Sequence, residues 1–217
     1  MSNKLTAIIP VRAGSQRVKG KNIKPFAGTT LLEIKIETLK RVQGIDEIVV
    51  TSDSEKMLDI ATKHNVSTHK RDEHFASNEV NNSDFMQNLS TIVEDGDIMV
   101  ALCTSPLLSS ETITEIVTKY KTGNLKNIVT AIAHKHHMWL DGRPLNYNPS
   151  ESPNSQDLPD IYSVNYGCCI LSKEDLYKHK NVVFEPTFFL TDEIESIDID
   201  TEFDFKVAEY IYRELNV

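Results

Sequence analysis

The sequence predicts an α/β fold in which helices cover a mostly parallel sheet. Runs typical of strands alternate with runs whose apolar residues recur at helical spacing, and short connections join them. The first run, at 5–11, is almost continuously apolar, as expected of a strand that is buried on both faces. The 217 residues are enough to bury a sizeable core, so we expect a single domain over residues 1–217.

The first part of the chain alternates strands and helices. Thr30 is expected to begin a helix that ends near Gly44, and a strand follows at 45–51. A second helix, capped by a serine or aspartate at 52–54, leads to a short strand at 66–69. Connections of this length are typical of parallel strands joined by right-handed crossovers, so these three strands are expected in one parallel sheet.

The middle of the chain continues the pattern after a polar loop at 70–82. Ser83 is expected to cap the next helix, and a buried strand follows at 97–102. A further helix ends near Gly123, and the strand after it spans 127–133. This part therefore adds two more strands.

The alternation stops between 134 and 162. The stretch 134–160 contains four of the eight prolines and the only tryptophan. A disordered insert is one interpretation, but several apolar residues argue for anchoring: Trp139, Leu140, Tyr147, Leu158 and Ile161. We interpret 134–162 as a projecting arm or lid, which is a common place for a dimer contact or a substrate cover.

Strand character returns in the last part of the chain. We expect a strand at 163–171, a short helix at 173–177 and an extended piece at 182–190. A last strand at 197–200 leads to a helix that ends near Leu215.

Composition excludes several classes of protein. The formal net charge of −9 argues against a general nucleic-acid binder, because phosphate backbones attract a basic face. The sequence has neither a leading apolar segment nor an apolar run long enough to cross a membrane, so no membrane partner is expected. We interpret the three cysteines, Cys103, Cys168 and Cys169, as core residues of a protein in a reducing cytoplasm.

A basic loop follows the first strand. Residues 12–22 contain two arginines, two lysines, two glycines and a serine, a composition that suits polyanion binding. A solvated basic turn is the alternative, but α/β sheets bind ligands at this position. Gly14 and Gly20 enclose five residues where the P-loop motif has four, and Asn22 replaces its Ser or Thr. The loop also lacks the G-x-G-x-x-G pattern, so it predicts another kind of nucleotide site.

Isoleucines and aspartates alternate at 197–200. In a strand, Asp198 and Asp200 would lie on one face, with carboxylates roughly 6.6 Å apart. Two such carboxylates can bind Mg²⁺ while substrate phosphates complete its coordination. The alternative is that both face solvent or serve the N-terminus of the following helix, where Thr201 and Asp204 resemble a capping box.

Other polar clusters are weaker candidates. His134, His136 and His137 suggest a metal site, but no nearby Cys or carboxylate completes one, so we interpret them as polar positions of the arm. Asp53 and Arg71 end predicted strands, where a structural role and a ligand contact are equally consistent with the sequence.

These motifs together resemble the acylneuraminate cytidylyltransferases, a family that includes the CMP-sialic acid, CMP-Kdo and CMP-pseudaminic acid synthetases. The resemblance runs from residue 5 to about 212. The residues that carry it are IIPVRAGSQRVKGKN at 8–22, Arg71, Ala76 with Ser77, TSPL at 104–107, Asn165 and SIDIDTEFDF at 196–205.

The resemblance implies a Rossmann-like nucleotidyltransferase fold, with a mixed, mostly parallel sheet, helices on both faces and a projecting arm that builds a homodimer. It implies transfer of CMP from CTP to an acidic sugar, with release of pyrophosphate. By motif match, the nucleotide-binding residues are Arg12, Ala13, Gly14, Ser15, Lys21, Asn22, Arg71 and Ala76. The catalytic residues are Lys21, Asp198 and Asp200, and the two aspartates bind the cofactor, Mg²⁺.

The sequence departs from the family pattern in the acceptor half. The block Gln-Pro-Thr-Ser-Pro-Leu-Arg loses its Gln and Arg, which are Leu102 and Leu108 here. Two further arginines of the sialic-acid enzymes are also missing, with Ser155 at one position and Ser163 and Val164 around the other. We therefore expect a sialic-acid-like nonulosonate other than N-acetylneuraminate as the acceptor, bound by Asn165 and Arg143, with Lys135 or the arm histidines as other candidates. A Kdo-like acid or a phosphonate acceptor, or a non-catalytic nucleotide-binding protein, are the alternatives.

Overall fold

The computed structural model describes residues 4–215 and contains one seven-stranded sheet and one small hairpin. The strands are β1 (Leu5–Pro10), β2 (Glu47–Ser52), β3 (Ser67–Lys70), β4 (Asp97–Val100), β5 (Asn127–His134), β6 (Trp139–Leu140), β7 (Arg143–Pro144), β8 (Ile161–Ser172) and β9 (Thr187–Leu190). The α-helices are α1 (Leu31–Arg41), α2 (Glu55–Lys63), α3 (Asn82–Ser90), α4 (Ser110–Thr122), α5 (Lys173–His179) and α6 (Glu202–Glu214). Short 3₁₀ helices span Lys21–Ile23, Glu73–Ala76 and Ser155–Asp157.

The sheet is mixed and mostly parallel, with strand order β3-β2-β1-β4-β8-β5-β9. The strand pairs β1–β2, β2–β3, β1–β4 and β5–β9 are parallel, whereas β8 runs antiparallel to both β4 and β5. The predicted α/β fold with a mixed, mostly parallel sheet is confirmed.

Helices cover both faces of the sheet. Ile9 of β1 packs on one side in a core that includes residues of α1, α2, α4 and α6. Ile8 packs on the other side in a smaller core with Leu89 of α3 and Leu176 of α5. Alternate side chains of a strand point to opposite faces, so the continuous apolar run of β1 is explained by burial on both.

Two of the helix caps predicted from the sequence are present in the structure. The Thr30 side chain accepts a hydrogen bond from the Glu33 backbone N–H at the start of α1, as predicted. Thr201 and Asp204 form the capping box of α6. Ser83 is not the cap of α3, because Asn81 accepts from the Asp84 N–H and the helix begins one residue before Ser83.

Two predicted strands differ from the structure. Residues 197–200 run as a loop, in which the Ile199 N–H donates to the Thr104 carbonyl (2.8 Å) and the Ile199 side chain is buried. In the predicted extended piece at 182–190, only β9 is a strand. Before the chain joins the sheet, the side-chain amide of Asn127 donates hydrogen bonds to the carbonyls of Val182 and Phe184, so these carbonyls bond to a side chain. Pro186 also supplies no N–H to a strand ladder.

The segment 135–160 is held mainly by its own side chains. The β6–β7 hairpin is closed by Asn146, which accepts from the Met138 N–H and donates to the His136 carbonyl. Trp139 and Leu140 are more than half exposed, whereas Leu158 is buried and anchors the end of the segment. Its role as a dimerisation arm stays a prediction.

The three cysteines are buried and unpaired, as predicted for core residues. Within residues 4–215, no helix combines the length and the apolar character needed to cross a bilayer.

Candidate nucleotide site

A cavity of about 440 Å³ opens at the carboxyl ends of β1, β3 and β4. The loop 12–22 forms one wall, and residues 71–85 form the wall opposite. Leu102, Cys103 and Thr104, which follow β4, also line it. Ligands of α/β proteins bind at this end of the strands, so the cavity has the position that the sequence predicted.

The loop 12–22 is fixed to neighbouring elements at its start. The Val11 N–H donates to the Thr51 carbonyl, and the Ala13 N–H donates to the Asp53 carboxylate (3.1 Å). The Arg12 guanidinium donates to the carbonyls of Ala76 (3.0 Å) and Ser77 (3.2 Å) in the opposite wall. Arg12 and Ala76, both predicted to bind nucleotide, therefore join the two walls of the cavity.

The end of the loop turns back through Gly20. Its φ of +63° lies in the left-handed region, which glycine adopts without strain, and a 3₁₀ turn begins at the next residue. This turn places Lys21 and Asn22 on the cavity, where Ser15 also lies. Ala13 and Gly14 are exposed beside it and do not line the cavity.

Lys21 connects the loop to the segment 198–200. Its ammonium donates to the Ile199 carbonyl, and the side chain is partly buried. Burial lowers the pKa of Lys21, and the charges of Asp198 and Asp200 oppose that shift. The Arg17 guanidinium forms an ion pair with Asp200 at 2.8 Å. The basic loop and the two aspartates thus meet, although the aspartates are not in a strand.

Asp198 carries the least satisfied polar atom of this region. Its Oδ1 is buried and has no hydrogen-bond partner among residues 4–215. Burial raises the pKa of Asp198, the Thr104 hydroxyl near the carboxylate opposes the shift, and the Asp200 charge adds to it. A buried carboxylate oxygen without a partner, beside a second carboxylate, suits a divalent cation that takes its remaining ligands from a substrate. The described residues contain no cluster of three or more His, Cys, Asp or Glu suited to a metal ion.

Arg71 forms part of the wall that follows β3. Its guanidinium donates to the Thr51 carbonyl (2.7 Å) and lies 4.9 Å from the centre of the Phe85 ring. Burial lowers the pKa of Arg71 to about 10, and the Asp53 carboxylate opposes the shift. The planar cation is therefore held rigidly between a carbonyl and an aromatic face at the cavity.

The two predicted acceptor residues lie elsewhere. Asn165 is buried in β8, where its amide donates to the Thr191 hydroxyl (3.1 Å) and accepts from the Gly167 N–H (3.2 Å). Arg143 lies exposed in β7. Neither residue lines the cavity, and their part in acceptor binding stays a prediction.

Sequence reasoning misses most of the wall at 75–85. Phe75, Asn78, Val80 and Phe85 line the cavity, although the sequence predicts only an edge loop at 70–82. The signal that the sequence offers is the pair of aromatic residues in an otherwise polar stretch. Cys103, which the sequence assigns to the core, is both buried and a lining residue.

The sequence matches the model of the cytidylyltransferase family over residues 6–210. The chain belongs to this family. It is therefore a nucleotidyltransferase, as the resemblance implied. A CMP-N,N′-diacetyllegionaminic acid synthase from Legionella pneumophila is 30% identical over 98% of this chain and 97% of the relative. A pseudaminic acid cytidylyltransferase from Campylobacter jejuni is 24% identical, over 95% of each chain.

Solved structures share the fold of this cytidylyltransferase. A CMP:2-keto-3-deoxy-manno-octonic acid synthetase in complex with CTP superposes with a TM-score of 0.73 at 12% identity, over 98% of this chain and 99% of the other. A 4-diphosphocytidyl-2C-methyl-D-erythritol synthase from Anaerococcus prevotii gives a TM-score of 0.71 at 15% identity, over 97% and 96% of the two chains.

Proposed function

We propose that this cytidylyltransferase transfers CMP from CTP to a sialic-acid-like nonulosonic acid in a Mg²⁺-dependent reaction. The observation that carries the proposal is the meeting of the basic loop with Asp198 and Asp200 beside the cavity. The relatives from Legionella and Campylobacter, whose names specify legionaminic and pseudaminic acid, support a nonulosonate acceptor.

The reaction forms a bond between an acceptor hydroxyl oxygen and the α-phosphorus of CTP. The bond from that phosphorus to the bridging oxygen breaks, pyrophosphate leaves, and the hydroxyl proton passes to solvent or to a base. The residues of the loop, Ser15, Lys21 and Asn22 among them, would orient the triphosphate and neutralise its charge. Arg71 would contribute to the pocket for the cytosine base, and Arg12 would keep the two walls at the spacing that the nucleotide needs.

Asp198 and Asp200 are the residues that would hold Mg²⁺. Bound there, the ion would supply further charge neutralisation to the triphosphate and its leaving group. When Asp200 binds the ion, we expect its ion pair with the Arg17 guanidinium to break. Arg17 lines the cavity, so it is then free to bind phosphate oxygens.

The acceptor is tested by measuring pyrophosphate release from CTP with a panel of nonulosonic acids, Kdo-like acids and phosphonates. We expect turnover with a nonulosonate, dependence on a divalent cation, and loss of turnover in Asp200→Asn. The exposed Asp59→Asn on α2 is the matched control. Retained turnover in Asp200→Asn would contradict the metal assignment. CTP binding without turnover on any acceptor would favour the non-catalytic alternative.

A different acidic acceptor is a second candidate. Leu102 lines the cavity and Leu108 is buried, although the family pattern has polar residues at both positions. A Kdo-like acid or phosphonate that turns over better than every nonulosonate in the panel would establish this candidate.

We also propose that the segment 134–162 mediates a homodimer and that the enzyme acts in the cytoplasm. The exposed Trp139 and Leu140 support the first proposal, and the three unpaired cysteines support the second. Sedimentation velocity tests the dimer, and cell fractionation with an antibody tests the location.

A further inference from the structure

Lys35 is a lysine in the core, on the sheet-facing side of α1. The residue is 1% exposed, and its neighbours on the helix, Leu31, Leu32 and Leu39, belong to the larger core. An amine in such surroundings is costly unless it is hydrogen bonded, and burial lowers the pKa of Lys35. Its Nζ donates to the carbonyl of Ser105 at 3.0 Å. Burying the Lys35 amine costs desolvation free energy that an apolar side chain would avoid, so its hydrogen bond to Ser105 indicates a role that an apolar side chain could not fill.

The contact is made to the turn that follows β4. Ser105 is itself buried, and its Oγ has no hydrogen-bond partner among the described residues. A Cβ built on Gly167 of β8 would lie 3.3 Å from both Cβ and Oγ of Ser105. The turn is therefore pressed closely against β8 on one side and held by the Lys35 amine on the other.

The same turn holds the segment that carries Asp198. The Thr104 carbonyl accepts from the Ile199 N–H (2.8 Å), and the Thr104 hydroxyl lies near the Asp198 carboxylate. Since Thr104 and Ser105 are adjacent, the Lys35 amine is connected to the residue next to Asp198 through the backbone of 104–105 and the bond to Ile199. Lys35 lies in the core and does not line the cavity.

We propose that Lys35 is a positioning residue for Asp198. It fixes the turn at 104–105 so that the unpaired Oδ1 of Asp198 is held ready for a divalent cation. The inference rests on the proposed function, in which Asp198 binds that cation together with CTP. Removal of a hydrogen-bonded partner of a metal ligand typically changes metal affinity by about 10–100-fold, and Lys35 acts one step further from the ligand, so we expect an effect at the lower end of that range.

Lys35→Met tests the proposal, because methionine occupies similar space without the donor. Lys121→Met is the matched control: the Lys121 Nζ on α4 also donates to a backbone carbonyl, that of Gly44 (2.8 Å), outside the site. One readout is the Mn²⁺ affinity in the presence of CTP, by electron paramagnetic resonance without acceptor. The other is amide hydrogen exchange at Ile199.

We expect Lys35→Met to keep its fold by circular dichroism, to weaken CTP-dependent Mn²⁺ binding about tenfold, and to speed exchange at Ile199. Lys121→Met should match the wild type in both measurements. The proposal is overturned if Lys35→Met binds Mn²⁺ and protects Ile199 as the wild type does, while Asp198→Asn loses Mn²⁺ binding.

Two further results keep the outcomes distinct. If the wild type shows no CTP-dependent Mn²⁺ binding, the proposed function fails, and exchange at Ile199 still decides whether Lys35 holds the segment. If Lys35→Met does not fold, Thr104→Val removes the hydroxyl that lies near the Asp198 carboxylate. It should weaken Mn²⁺ binding in the same way, and wild-type affinity in Thr104→Val overturns the proposal.

Discussion

The nucleotide cavity and the segment 135–160 are held together in different ways. Around the cavity, side chains bond to distant parts of the chain: Arg12 reaches Ala76, 64 positions away, and Lys21 reaches Ile199, 178 positions away. In the segment 135–160 the bonds are local, as from the Lys135 ammonium to the Gln156 carbonyl, 21 positions away.

The two regions should therefore respond differently to substitution. A substitution at the cavity disturbs two or three elements at once, whereas a substitution in the segment 135–160 disturbs mainly that segment. The family's nucleotide motifs are present at the cavity, whereas its acceptor motifs are altered both at the cavity, at Leu102, and in the segment 135–160, at Ser155. We therefore expect the fold to fix nucleotide binding at the cavity, and we expect acceptor choice to depend on residues of both regions.

The largest effect is expected from Asp198→Asn, next to the long-range contact between Lys21 and Ile199. The substitution keeps the size of the side chain and removes its negative charge, so turnover should fall on the order of 10²–10³-fold, as for loss of a charge-stabilising group in other active sites. Steady-state pyrophosphate release measures it, with the exposed Asp59→Asn as the control. Wild-type turnover in Asp198→Asn would show that this end of the cavity is not the reacting end.

A smaller effect is expected from Arg71→Met, in the opposite wall. It removes the donor to the Thr51 carbonyl and the cation above Phe85, so the KM for CTP should rise about tenfold while kcat changes less. Lys70→Met is the control, because the adjacent Lys70 pairs with Glu55 at the surface. A fall in kcat with an unchanged KM would assign Arg71 to the reacting end instead.

The difference between local and long-range contacts also explains which features the sequence alone predicts. The Thr30 cap of α1 and the Thr201–Asp204 box are patterns within four consecutive residues, so the sequence alone predicts them. The loop at 197–200 is different, because a contact with Thr104 replaces the strand that its alternation indicates. The bond from Lys21 to Ile199 joins the two ends of the chain, and no local pattern contains that information.

The cavity also predicts a pH dependence of stability. Burial raises the pKa of Asp198 above its value in the unfolded chain. The folded state therefore binds the Asp198 proton more tightly than the unfolded state does, and protonation of Asp198 stabilises the fold at low pH. That stabilisation is lost as the pH rises through the raised pKa. Asp198→Asn should therefore have a larger free energy of unfolding than the wild type at neutral pH, and the difference should shrink as the pH falls.

Urea titrations at neutral and acidic pH measure this difference. Asp200→Asn is the comparison, because it removes an exposed ion pair with Arg17 and should give no such gain. A wild type that is more stable than Asp198→Asn at neutral pH would mean that the carboxylate is satisfied in the folded protein, and it would weaken the argument for an open cation ligand.

The smallest effect on the folded chain is expected from Trp139→Ser with Leu140→Ser, at the tip of the β6–β7 hairpin. Both side chains are exposed, so the free energy of unfolding and the affinity for CTP should change little, by about 0.5 kcal/mol or less for each substitution. A dimer built on this hairpin should dissociate in sedimentation velocity, while Tyr177→Ser, at an exposed aromatic residue on α5, leaves it intact. If the double variant instead weakens CTP binding tenfold, the hairpin is coupled to the cavity and the two regions are not independent. If CTP binding is unchanged while acceptor preference shifts, the hairpin takes part in acceptor choice.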